Sequence, residues 1–191
     1  MADDVIAHAT GSQFQPHPAG QFAAQCVDVI DLGAKLDVFP GQEPTVVQKV
    51  VLLFRTGELN DEGSPIDIGR EFTVSMHEKA NLRAFLEDWR GKPYREAQLD
   101  EGVALAKLVG QPGYLSIVHK MSRKGRTYAL IQTIMPLPKG MLAPVVTDYV
   151  RPRFYAERKA EYAAELARMR PAYCAPVEVP APPDEDQDLP F

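Results

Sequence analysis

The chain reads as a mainly β fold: a five-stranded barrel with a helical insert between strands three and four, then a C-terminal helix and a disordered tail. Three observations predict it. The segment Thr45 to Arg55 (TVVQKVVLLFR) is apolar, β-branched and of strand length. Four further segments of strand character accompany it, and the loop between the last two (MSRKG) contains Gly125, which makes a hairpin the economical connection. Helical periodicity is confined to stretches after the third and fifth strands. At 191 residues the chain can bury one full core with some excess.

Taken in order, residues 1–20 are polar, carry Pro16, Pro18 and two of the four histidines, and read as a flexible leader. A folded domain is expected over 21–150. Phe22 to Leu32 reads as a strand ending at Gly33. Thr45 to Arg55 splits by alternation into Val46, Gln48, Val50, Leu52 and Phe54 on one side and Lys49, Val51, Leu53 and Arg55 on the other. The second set mixes cations with apolar groups, as either a nucleic-acid face or a second packing layer would require. Asn60 to Pro65 is a turn, and Arg70 to Ser75 the next strand. Ser75 and Glu78 have capping-box spacing. Leu82, Phe85, Leu86 and Trp89 then fall at i, i+3, i+4 and i+7, predicting a short helix with one apolar face, stopped by Gly91 and Pro93. Trp89 is expected to plug the barrel end. Leu99 to Val109 predicts a second helix ending at Gly110. Gly113 to Lys120 and Arg126 to Met135 form the hairpin. Within 151–170, Pro152 to Met169 is a charged helix with Ala156, Ala160, Ala163 and Ala167 on one side, broken by Pro171. Residues 171–191 hold six of the 17 prolines and read as a disordered linker and acidic tip. The order of strands, helix and hairpin is that of the OB-fold, a Greek-key barrel whose face and flanking loops accept oligonucleotides, although other small barrels share it.

Several classes of function are excluded or unsupported. No apolar run reaches the roughly 18–20 residues of a membrane span. The acidic start MADDVIAHAT lacks the pattern of a signal peptide, so a cytoplasmic protein is expected. Cys26 and Cys174 lie at opposite ends of the chain and form no CxxC pair. No GxxxxGK[ST], GxSxG or HExxH motif occurs, and neither His77 nor His119 has an evident catalytic partner. No enzyme activity, metal or cofactor is expected.

Charge is distributed unevenly. The net charge is −5, yet the last 21 residues carry five acids and no Lys or Arg, which leaves the rest of the chain neutral. From His119 to Lys159 there are nine Lys or Arg against two acids. A local basic cluster sets the field near a binding surface whatever the overall charge. Single-strand binders combine such a cationic groove with aromatic platforms. The hairpin supplies His119, Lys120, Arg123, Lys124 and Arg126 with Tyr114 and Tyr128 on its strands. Tyr114, Ser116, Val118 and Lys120 share one face, as do Arg126, Tyr128 and Leu130. An ordinary charged hairpin with both tyrosines in the core is the alternative. Arg90, Lys92 and Tyr94 follow the first helix, and Lys49 and Arg55 complete the candidate DNA-binding set.

The chain ends Asp184-Glu185-Asp186-Gln187-Asp188-Leu189-Pro190-Phe191. A terminal Phe offers a ring and an α-carboxylate to an apolar pocket with a basic lip, and the acids would speed association with a basic rim. This end resembles the acidic tip of bacterial single-stranded DNA-binding proteins, a run of Asp followed by Ile-Pro-Phe; here Leu189 replaces Ile and Gln187 interrupts the acids. The body resembles more closely the single-stranded DNA-binding proteins of tailed bacteriophages. The resemblance lies in LRAFLEDWRGKPY (Leu82–Tyr94), the pattern LxxLxGxPxxLxIxH (Leu105–His119) and TYALIQTIMPLPKG (Thr127–Gly140). It implies an OB-fold that coats single-stranded DNA without sequence preference in phage replication or recombination, in the host cytoplasm. It also implies that Asp184, Glu185, Asp186, Asp188, Leu189, Pro190 and Phe191 recruit replication or repair proteins. The C-terminal helix has no counterpart in the bacterial form, so the oligomeric state stays open. A protein-interaction adaptor, an annealing protein and a nucleic-acid enzyme are the alternatives.

Overall fold

The computed structural model describes residues 15–38, 41 and 43–173. Five strands, β1 (Gly20–Asp37), β2 (Thr45–Leu59), β3 (Pro65–Thr73), β4 (Pro112–Met121) and β5 (Thr127–Met135), form one antiparallel sheet in the order β3-β2-β1-β4-β5. Helices α1 (Asn81–Arg90) and α2 (Glu96–Asp100) lie between β3 and β4, and α3 (Phe154–Tyr173) follows the sheet.

β1 serves two neighbours in succession. Gly20–Gln25 pairs with β4 and Gln25–Asp37 with β2. A register shift at Cys26/Asp28 lies just past the changeover, and a second, at Asp31/Gly33, interrupts the pairing with β2. The strand does not end at Gly33, as its sequence suggests. Gly33 adopts φ +80°, and the shift beside it lets pairing resume through Asp37.

The inner face holds the main core. Val50, Leu52 and Phe54 of β2, Ile68 and Phe72 of β3, Leu115 and Ile117 of β4 and Ile131 and Ile134 of β5 join one cluster. Leu82, Phe85, Leu86 and Trp89, the four positions predicted from spacing, are the buried residues of α1 and enter the same cluster. Trp89 Nε1–H donates to Pro112 O at 2.8 Å. A Cβ at the neighbouring Gly113 would lie 2.8 Å from that nitrogen, so glycine lets the indole close the core.

Residues from both edge strands share this core, so the sheet is strongly curled, but no ladder joins β3 to β5 among the described residues. Arg70 crosses the gap instead. Its Nη1 donates to Ile131 O and Gln132 O, both at 3.1 Å, and its guanidinium lies 5.1 and 5.2 Å from the Phe72 and Phe85 ring centres.

Other boundaries differ from the sequence reading. β3 starts at Pro65 and ends at Thr73. Ser75 accepts a local hydrogen bond from His77 N at 3.3 Å, and α1 starts six residues later behind Ala80, which offers no capping atom. The helix expected over 99–109 is split into α2 and a 3₁₀ turn at Leu105–Leu108, because Gly102 takes φ +80°. α3 runs through Pro171, which sits in its last turn and forfeits one backbone bond rather than breaking the helix.

A second layer covers the outer face of β1 and β2. Val27, Ile30, Leu32, Val51 and Leu53 pack against Tyr155 and Tyr162, which lie two helical turns apart on α3. The alanine side of α3 faces outward. The alternatives left by Val51 and Leu53 are thereby resolved in favour of packing. Residues 15–19, expected as part of the leader, also pack. His17 is 2% exposed, shares a 2.6 Å hydrogen bond with Thr56 Oγ1 and sits edge-on to Phe22. No described helix is long and apolar enough to cross a membrane.

Candidate nucleic-acid interface

The outer surface of the sheet has two halves. The β1–β2–β3 half lies under the C-terminal segment and α3; its Lys49 and Arg55 are internally paired, while Lys35 lies 5.0 Å over the Tyr162 ring. Lys49 Nζ meets Asp37 Oδ2 and Thr73 Oγ1, both at 2.9 Å. Arg55 makes a bidentate pair with Asp67 at 2.6 and 2.9 Å and reaches Asp148 at 3.1 Å. Both side chains are nearly buried, at 13% and 12% exposure. These two predicted DNA-binding residues form structural ion pairs that leave little charge for a ligand.

The β4–β5 half is open. Directly opposite residues of an antiparallel pair project from the same face. Lys120 lies opposite Tyr128 and Val118 opposite Leu130; beyond a register shift, Ser116 lies opposite Thr133 and Tyr114 opposite Met135. The predicted face on β4 is therefore present, while on β5 the alternation slips by one residue at Gln132. Tyr128 and Met135 are 39% and 44% exposed, and Tyr114 is half-buried.

Ser122 closes the hairpin tip. Its N–H donates to Arg126 O at 2.8 Å, and its Oγ accepts from Arg126 N at 3.0 Å. This tight turn leaves Arg123, Lys124 and Arg126 in solvent. Among the described residues none of Lys120, Arg123, Lys124 and Arg126 forms an ion pair. His119, also exposed, bonds through Nε2 to His17 O at 2.8 Å and so ties down residues 15–19.

The turn after α1 divides similarly. Arg90 lies 4.0 Å over the Tyr94 ring, with Nη1 buried and without a partner among the described residues. Tyr94 N donates to Glu87 Oε1 at 3.0 Å, the chief reason that carboxyl is held below its ordinary range. Lys92 is exposed and shares an open cleft with Thr133 and Met135. That cleft lies at the end of β5 away from the hairpin and is also lined by Glu87 and Asp88. The set predicted from sequence is not one patch: Lys92, Tyr114, Lys120, Arg123, Lys124, Arg126 and Tyr128 lie along one half of the sheet, and Lys49 and Arg55 lie under the other.

Two contributors escaped the sequence reading. Arg70 holds the seam between β3 and β5. Phe154, 48% exposed at the start of α3, stands with Tyr128 around a cavity of about 260 Å³. The only sequence signal for Phe154 is an aromatic pair, Phe154-Tyr155, directly after Pro152 and Arg153. Burial pushes the Cys26 thiol up to about 12, which keeps it unreactive. Among the described residues no three His, Cys, Asp or Glu side chains come together as a metal site. The tip at 184–191 and Cys174 lie outside the described residues. No family model matches the chain, and no curated protein matches its sequence.

Proposed function

We propose that this protein binds single-stranded DNA without sequence preference, through the open β4–β5 face of an OB-type barrel. The observation that carries the reading is the contrast in cation pairing. Lys49, Arg55, Arg151, Arg158 and Lys159 on the covered half all have carboxylate partners. The hairpin cations have none among the described residues, and they stand beside an exposed tyrosine on a half-apolar sheet. Unpaired cations displace counterions from phosphates, and the aromatic surface accepts bases of any identity. The face spans about 20 Å from Lys120 to Tyr114, at roughly 3.4 Å per residue, room for several nucleotides. A role in bacteriophage DNA replication or recombination, with the acidic tip recruiting partner proteins, completes the proposal and rests on the sequence resemblance.

The test is fluorescence anisotropy of labelled oligo-dT at two salt concentrations, with a duplex of equal length as competitor. Tight binding that duplex competes poorly and that weakens with salt is expected; no binding at low salt would overturn the proposal. A second reading, an adaptor that docks proteins rather than DNA, draws on Leu142, Val145 and Val150, which are 88%, 82% and 81% exposed on the segment before α3. That outcome would be favoured by absence of oligo-dT binding together with capture of a replication protein by the tip.

A further inference from the structure

Resting on the single-strand reading above, we propose that the cavity between Tyr128 and Phe154 seats one unpaired base, so that α3 supplies part of the DNA-binding surface. The cavity lies outside the seam where β3 faces β5 without a ladder. Its walls are Tyr128 from β5 and Phe154 and Tyr155 from α3, and Gly69 and Ile68 of β3 lie at its base. The Phe154 and Tyr155 rings are 3.9 Å apart at 34°, so Phe154 is held by a buried neighbour while its other side stays open. Gly69 lets Tyr155 pack closely on β3 and so fixes that wall: a Cβ there would come within 3.1 Å of Tyr155 Oη.

Charge points to the same occupant. Lys120 is directly opposite Tyr128, and Arg126 lies two residues before it, about 7 Å along the chain. A phosphate held by either cation would bring its own base to the Tyr128 ring. Most polar side chains at the cavity are already engaged, Asp67 by Arg55, His17 by Thr56 and Pro18, Gln15 by Asp61, which leaves the Tyr128 and Tyr155 hydroxyls. The site therefore offers stacking faces and few free hydrogen-bonding groups, which suits any base and selects none.

The experiment uses the full chain, oligo-dT and a single-stranded probe carrying one 2-aminopurine. F154L and Y128L remove a ring while keeping an apolar side chain, and F154Y restores an aromatic. Wild type is expected to bind and quench the probe. F154L and Y128L should each lose about 5- to 150-fold in affinity, with reduced quenching. The slope of affinity against salt should stay unchanged, because every phosphate-binding cation is still present, and F154Y should bind as wild type. If wild type binds but both leucine variants bind and quench equally well, the pocket is overturned and the single-strand reading stands. A loss in F154L that F154Y does not restore would also overturn it. If wild type itself fails to bind at low salt, both fall together.

Discussion

Lysines and arginines of similar sequence context have opposite roles here, and substitution should separate them. Changing Lys120, Arg123, Lys124 or Arg126 to Gln removes a cation with no internal partner among the described residues. Each change should leave the melting temperature within experimental error and weaken oligo-dT binding. It should also lower the salt slope by about 0.7 for each phosphate that the side chain neutralises. R55Q should do the reverse. It strips Asp67 of a bidentate partner at a nearly buried position and should cost about 1–3 kcal/mol of stability by urea denaturation, while the salt slope of binding stays that of wild type. Equal phenotypes in the two groups would contradict the division of the surface. Sequence alone could not make this division. Strand alternation put Lys49 and Arg55 on a mixed face, but their partners Asp37, Asp67 and Asp148 come from other segments that only the folded register brings near.

At the level of elements, α3 is held by both shape and charge. The shape is tested by G69A. Its Cβ would meet Val51 Cγ1 at 2.9 Å and Leu53 Cδ1 and Tyr155 Oη at 3.1 Å, forcing the helix outward at a cost of about 1–3 kcal/mol. The expected readout is a lower melting temperature with faster proteolysis beyond Arg151. The charge is centred on Asp28, which accepts from Arg151 Nε and Nη2 at 2.7 Å and from Tyr149 Oη at 2.8 Å. Burial pushes this carboxyl up, but the bonds to Arg151 and Tyr149 and the guanidinium charge outweigh it and hold it below the ordinary range. Asp31 is lowered chiefly by its bond to Lys159. A carboxyl whose folded pKa is depressed stabilises fully above its unfolded value, about 4, and loses that contribution as pH falls through the lower folded value. The C-terminal segment should therefore loosen below about pH 4. D28N should melt earlier at pH 7 and lose less stability than wild type between pH 7 and 3. The helix itself was legible as a charged segment after Pro152, but its buried side was not. Tyr155 and Tyr162 are only two apolar marks, fewer than the alanines opposite them. The stripe on α1 was legible because four large apolar residues define it without help from the rest of the fold.

For the molecule as a whole, the succession of elements along the chain and the helical insert were readable from the sequence, whereas the order of strands in the sheet and its open seam were not. The bridge across the seam is a single arginine bonding to backbone carbonyls some 60 residues away, and no local pattern encodes that. The sequence carries a basic hairpin and an acidic terminus, and under the proposed function the terminus would compete with DNA for the hairpin. Deleting residues 184–191 is then expected to tighten oligo-dT binding at low salt and to change it little at high salt; unchanged affinity at low salt would refute the competition. The shared strand β1 has a further consequence for how this chain finds its structure. β1, β2 and β3 follow one another closely and can pair as a meander while the chain is still short. Residues 20–25, by contrast, find their partners only at 112–117, across a loop of some 90 residues. The first of the described strands to be synthesised is thus left half-paired until β4 follows. Until the hairpin arrives, its leading six residues expose an unpaired edge, the interval in which the nascent protein is most open to pairing with a second copy of itself.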